Sequence, residues 1–346
     1  MAVTDVYVGR ARTAILTILA DEHAVVHPEL EARISEAGYR GDFNNIDPHH
    51  VTTALRELSQ DGSIEWIEER TRGGSAIKTI QPTDTRLRST KVAAAAARKR
   101  LLYARYSGWS QGTKRHPQGL VGPAGEEAVR LAIRESSALQ PAAPGAGEVK
   151  ALLGVTLPGP LDSAGYLVPI DASGLPQSPV TILFEVKNLR SWIYPSAEEL
   201  YQLLHKAIVL QTARQEQPIV PVFVCRRAHQ TTFWMSHQLG FVTIDMGIQY
   251  VGDVEEQELL EVRNELHFRD LAPGKGPSLR VRDRLTKTLP HTSVSVAEQW
   301  SATASDPAMV TVIEGIRRNT SNRQEHDALV AELRRANSRL GRQGGW

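Results

Sequence analysis

The hydrophobic period of this chain changes once, at the Pro- and Gly-rich break "QPAAPGAG" (residues 140–147). Before the break, apolar residues recur mainly at helical spacing. After it come short apolar runs, "KALLGVTL", "GYLVPI", "PVTILFEVKN", "IVPVFVC" and "GFVTIDM", interrupted by two helical patterns, "SAEELYQLLHKAIVLQTARQ" and "AHQTTFWMSHQLG". Strands repeat every two residues and helices every 3.6, so this part cannot be a helical bundle. Its element order is helix, three strands joined by short turns, helix, strand, helix, strand. That order describes a mixed α/β sandwich with a central sheet flanked by helices on both faces.

The run "PVTILFEVKN" ends in an acid and a base, Glu185 and Lys187. The tripeptide alone carries little weight, since a chain of this length shows E-x-K about once by chance. The same tripeptide recurs at Glu148 and Lys150, beside "PGAG" at the mouth of a strand, where charges are ordinarily solvated. Context separates the two. Glu185 and Lys187 follow consecutive strand formers, and residues two apart on a strand share a face. A buried strand ending in a carboxylate and an ammonium is costly unless each has a partner, and a divalent metal is one such partner. A second carboxylate is expected on a neighbouring strand. "GPLDSAGYLVPI" supplies Asp162, on a strand that pairs with 180–186 through the loop "DASGLPQSP"; Asp171, at the tip of that hairpin, is the fallback. Two acid oxygens with water and phosphate oxygens match the hard-ligand preference of Mg²⁺.

Asp162, Glu185 and Lys187, with 22 residues between the Asp and the E-x-K, resemble the active site of the PD-(D/E)XK, or restriction-endonuclease-like, nuclease superfamily. The resemblance implies that residues 123–255 form the nuclease core. It implies that the helix in "GPAGEEAVRLAI" supplies Glu126 as an auxiliary metal ligand, directly or through water, while Glu127 lies on the polar face. The helix after the E-x-K strand would bring Gln202 to the catalytic set and Lys206 to phosphate. One departure stands out: Leu161 precedes the Asp, with Pro160 one position earlier. The implied chemistry is Mg²⁺-dependent phosphodiester hydrolysis. Asp162 and Glu185 would hold one or two Mg²⁺ ions, and Lys187 would orient or deprotonate the attacking water.

Upstream, "RTAILTILADE", "HPELEARISEAG" and "DPHHVTTALRELSQDG" read as three helices, the second ending at Gly38 and the third opening with Asp47 as N-cap and Pro48 at its first position. Two strand-like runs, "SIEWIEE" and "SAIKTIQ", follow around "RTRGG". Three helices and a hairpin resemble a winged-helix domain over residues 1–84. The resemblance implies DNA contact by the third helix (His49, His50, Thr52, Thr53, Arg56) and by the wing (Arg70, Arg72, Lys78). The charge of this segment opposes that use, with 8 Lys/Arg against 14 Asp/Glu. Adjacent His49 and His50 face different directions on a helix, which argues against a metal pair.

Residues 85–122 read as a basic helix and loop linking the two parts. From Thr85 to Gly125 no acid occurs, while Arg86, Arg88, Lys91, Arg98, Lys99, Arg100, Arg105, Lys114 and Arg115 alternate with Tyr103, Tyr106, Trp109 and His116. Such a stretch is expected to meet the backbone and bases of double-stranded DNA. Beyond the core, "GKGPSLRVRDRLTKTLP" reads as a basic loop. "DPAMVTVIEGIRR" and "QEHDALVAELRRANSRL" read as helices of an extension, 256–346, suited to packing or to a homodimer contact.

No apolar run approaches a bilayer span and the first residues lack a signal-peptide pattern, so a cytoplasmic protein without membrane contact is expected. The single cysteine, Cys225, excludes an internal disulfide and a Cys-based zinc site. The function expected is a restriction endonuclease, modification-dependent enzymes included, acting against foreign DNA. Two alternatives share these features: a repair or recombination nuclease, and a winged-helix regulator whose α/β domain cuts nothing.

Overall fold

The computed structural model describes residues 3–36, 46–71, 74–83, 90–142, 147–318, 322–342 and 346. It is a mixed α/β protein whose chain divides into two compact units, each built from two segments. The first comprises Met1–Leu120 and Val251–Pro273, the second Val121–Tyr250 and Gly274–Trp346. The four expected segments distribute over these two units. The stretch read as a linker belongs to the first unit, and most of the presumed C-terminal extension belongs to the second. Among the described residues, no helix is long and apolar enough to cross a membrane.

The first unit opens with α1 (Val3–Glu22), α2 (His27–Glu31), which widens into a π-turn at Ala32–Glu36, and α3 (Pro48–Gln60). The expected helix end at Gly38 lies outside the described residues. Asp47 caps α3, its side chain accepting the His49 N–H at 2.9 Å, and Pro48 occupies the first turn, where a missing N–H costs nothing. Strands β1 (Ile64–Arg70) and β2 (Ala76–Pro82) form the anticipated antiparallel hairpin, and Val25 bridges to Ile80 on its other side. Ile15, Ile18, Leu30, Ile34, Leu55, Leu58 and Ile80 fill the core. Helices α4 (Thr90–Gln111) and, much later in the chain, α8 (Glu256–Glu265) complete the unit.

The second unit opens with α5 (Val121–Ser136) and is centred on a five-stranded sheet. Its strands are β3 (Gln140–Pro141), β6 (Ser163–Leu167), β7 (Val180–Lys187), β8 (Ile219–Cys225) and β9 (Val242–Asp245), in the order β3-β6-β7-β8-β9. β6 pairs antiparallel with both β3 and β7, whereas β8 pairs parallel with β7 and β9 parallel with β8. The supposed break therefore begins as an edge strand. "KALLGVTL" is not one strand but a hairpin, β4 (Val149–Leu152) and β5 (Val155–Leu161), because Leu153 (φ 52°) and Gly154 (φ 75°) reverse the chain in left-handed conformations.

Both faces of the sheet are covered. Val180, Ile182, Phe184 and Val186 of β7 join α5 and α9 (Leu279–Lys287) in one core. Leu183 of β7 and Phe223 of β8 join α6 (Glu198–Ala213) and the C-terminal helices in the other. α7 (Gln230–Leu239) ends at Gly240, whose φ of 80° stops the helix. α10 (Leu289–Ser305), α11 (Pro307–Arg318) and α12 (Arg323–Arg339) follow, burying Trp300, Ile313 and Leu333 within their own chain. The basic loop expected near 279 is the helix α9: Val281, Leu285 and Leu289 lie four apart and are buried, while its cations face outward.

Candidate active site

β7 places the acid and the base. Its apolar residues are buried on both faces, and Glu185 falls on the face shared with Leu183, beneath α6, where it is only 3% exposed. The neighbouring strand places the second acid. Asp162, at the junction of β5 and β6, donates its N–H to the Phe184 carbonyl at 3.2 Å and accepts the Val186 N–H on Oδ2 at 2.6 Å. Asp162, Glu185 and Lys187 thus meet at one end of the sheet. Asp171 does not join them: it is half-buried and closes its own turn, accepting the N–H groups of Ser173 and Leu175. Glu148 and Lys150 of the second tripeptide are exposed on β4.

Two ammonium groups hold Glu185. Lys187 Nζ donates to Oε1 at 2.8 Å, and Lys206 Nζ donates to Oε2 at 2.6 Å and to the Pro160 carbonyl at 2.5 Å. Lys206, expected to reach phosphate, is 8% exposed and belongs to the carboxylate cluster instead. Its period on α6 explains this, since Leu203, Ala207 and Leu210 dock the same stretch of helix onto the sheet. Gln202, one turn earlier, is half-buried, and Glu199 lies close enough for its charge to act on Lys187.

α5 brings the third acid. Arg130 Nη1 lies 3.4 Å from Glu126 Oε2 and 3.5 Å from the Asp162 carbonyl oxygen, linking the helix to the acid-bearing strand. Glu127 points outward to Arg130 and Arg134. The approach of α5 is fixed by Asn188, the residue after β7. Its Nδ2 donates to the carbonyls of Val121 and Tyr250, both at 2.7 Å, and its Oδ1 accepts the Tyr250 N–H at 3.2 Å.

The electrostatics follow from burial and crowding. Burial first, and then the charge of Glu185, push the Asp162 carboxyl up to about 6, against the Val186 N–H and Lys187. Burial pulls Lys187 down, but the charge of Glu185, its hydrogen bond and Asp162 outweigh it, so the ammonium is held above its ordinary range. Lys187 is therefore held in its protonated, ammonium form.

A divalent cation suits this donor set. The charge of Glu185 adds to the cost of ionising Asp162, and a hard cation is the partner that removes that cost. Among the described residues no three His, Cys, Asp or Glu side chains form a ready cage. Asp162 and Glu185 are the residues that would hold such a cation directly, with Glu126 at the edge of the site.

The nucleic-acid residues divide. On α3, His49, Thr52 and Arg56 are exposed; His50 stacks on Tyr7 at 5.5 Å, and the Thr53 hydroxyl donates to the His49 carbonyl at 3.0 Å. Arg70 is exposed and Lys78 lies 3.4 Å from Glu68; Arg72 lies outside the described residues. The basic helix α4 differs most from expectation. Arg98 pairs with Glu265 at 2.5 Å, Lys99 with Glu29 at 2.7 Å, Arg100 with Glu69 and Arg105 with Glu261 at 2.9 Å. Lys99 is a buried ion-pair residue rather than a solvated one, and Tyr106 and Trp109 are buried as well. Lys114, Arg115 and His116, in the loop beyond, are exposed.

Lys206 and Asn188 are the site residues whose actual roles sequence reasoning missed. For Lys206 the i,i+4 spacing from Gln202 was a usable signal; for Asn188 there was none. Comparison with protein-family models, with curated proteins and with solved structures finds no match.

Proposed function

We propose that this chain is a Mg²⁺-dependent DNA endonuclease of the restriction-endonuclease-like kind, joined to a winged-helix-like module and acting against foreign DNA. The observation that carries this reading is the meeting of Asp162, Glu185 and Lys187 at one end of adjacent strands, with Glu126 held close by Arg130. A regulator with an inert α/β domain has no use for two buried acids whose mutual repulsion raises the cost of folding. The sheet order, antiparallel on one side of β7 and parallel on the other, and the order of three helices and a hairpin upstream are what such an enzyme requires.

Bound Mg²⁺ would neutralise charge on the phosphate and make a water more acidic. The chain's own residues do the rest. Asp162, ionised above about pH 6, and Glu185 would hold the ion. Lys187, protonated, donates to the attacking water or a non-bridging oxygen and fixes its direction. Glu126 orders water at the edge of the site, and Gln202 lies on the face of α6 that carries Lys206.

The test is incubation of supercoiled plasmid and phage DNA, methylated and unmethylated, with Mg²⁺, comparing the wild type with Lys187→Ala. Nicking by the wild type alone is expected. Failure of the wild type on every substrate removes the nuclease reading.

A further inference from the structure

We propose that Lys206 is a built-in counterion that occupies the acid pair in the metal-free protein and must yield Glu185 before a divalent cation can bind. This rests on the reading of Asp162 and Glu185 as ligands.

Three observations point to it. First, each Glu185 oxygen already accepts from an ammonium, Oε1 from Lys187 and Oε2 from Lys206, so an incoming cation meets two positive charges on the carboxylate and is favoured when one of them withdraws. Second, Lys206 has a second acceptor. Its Nζ spans from Glu185 on β7 to the Pro160 carbonyl, two residues before Asp162, and so bridges the two strands that carry the acids. A cation shared by Asp162 and Glu185 must bridge the same two strands. Third, Lys206 is 8% exposed, yet it sits on a helix whose other buried residues are mostly apolar. A buried ammonium in that setting is retained only where a buried negative charge needs it.

Lys187 is less suited to leave. It follows Glu185 by two residues on the same strand face, and Glu185, Asp162 and Glu199 all act on its charge. Lys206 reaches Glu185 from a different element and keeps the Pro160 carbonyl when it lets go. Cation affinity is then set by a competition: Glu185 exchanges an ammonium already in place for the incoming ion, which weakens binding and restricts it to ions of high charge density. In the absence of metal, the same ammonium offsets the negative charge that Lys187 alone leaves on the acid pair.

The test is calorimetric titration of Mn²⁺ and Mg²⁺ into the full-length protein without DNA, together with metal-free thermal melts. Lys206→Met removes the charge while keeping the chain length, and Lys206→Gln is the fallback should Met prevent folding. Tighter cation binding by about tenfold, corresponding to 1.4 kcal/mol, is expected in either variant, together with a lower metal-free melting temperature and a larger rise on adding metal. The gain should vanish when Glu185→Gln is added. If the wild type binds Mn²⁺ and both variants bind it equally or more weakly, the counterion role is overturned while the ligand reading stands. If neither wild type nor variants bind either cation, the ligand reading falls and the inference falls with it.

Discussion

A Cβ built on Gly125 would lie 2.5 Å from the Cβ of Asn188, closer than two carbons can approach. The first turns of α5 and the residue closing β7 are therefore in direct contact, and that contact sets the position of Glu126, the next residue. Gly125→Ala is expected to push α5 away from the strand, destabilising the protein by about 1–3 kcal/mol. Urea unfolding measures the loss. Cation affinity should drop in the same variant, whereas Gly122→Ala, at a position with nothing within 4 Å, should change neither.

The raised pKa of Asp162 gives stability a definite pH dependence. The folded-state value of about 6 exceeds the ordinary 3.8, so between these values the native state binds more protons than the unfolded one. Stability in chelator therefore falls as pH rises through that window. Asp162→Asn keeps an acceptor for the Val186 N–H and removes the charge. Its unfolding free energy should match the wild type near pH 4 and exceed it above pH 6, by on the order of 1 kcal/mol once screening is allowed for. Divalent-cation affinity of the wild type should weaken as pH falls through about 6.

Lys99 supports the first unit from inside. Its ammonium pairs with Glu29, which is fully buried, with Glu22 at 3.1 Å, and with the Glu265 carbonyl at 2.7 Å. Lys99→Met leaves Glu29 to Arg33 alone and is expected to cost about 3–5 kcal/mol, read by denaturant unfolding. It should leave the salt dependence of DNA binding unchanged in whatever fraction remains folded.

The exposed loop behaves oppositely. Replacing Lys114 and Arg115 by Ala should leave stability unaltered. The plot of log affinity for DNA against log salt should become shallower by about one unit per cation removed. An unchanged slope would take this loop out of the DNA-contacting surface.

The sequence made some elements legible through local chemistry and concealed others whose causes are distant. Asp47 and Pro48 mark the start of α3 because capping is decided within one turn. The apolar run before Glu185 announced a buried strand, because burial on both faces removes the polar alternation. The split at Leu153 and Gly154 was hidden, since an apolar run carries no sign of backbone handedness. α9 was hidden by its cations, which mask the spacing of Val281, Leu285 and Leu289. The character of the basic helix was unreadable for a different reason. Lys99 meets Glu29 at 70 positions' remove and the Glu265 carbonyl at 166, so its neutralisation depends on tertiary structure alone. At the site, the acid and lysine set was legible from the strand pattern, but the pairing of Glu185 with Lys206 depended on how α6 docks.

The two-segment make-up of the first unit constrains how the chain is born. Arg98 and Arg105 of α4 find their acids on α8, and Arg105 and Glu261 lie 156 residues apart. At about 5–20 residues per second, a ribosome needs roughly ten to thirty seconds to cover that interval. Throughout it, Arg98 and Arg105 stand without their α8 acids while the entire central sheet of the second unit is synthesised. The amino-terminal unit is therefore begun first but completed only after most of the second unit has been made, and a nascent chain halted before Val251 lacks the strip that closes it.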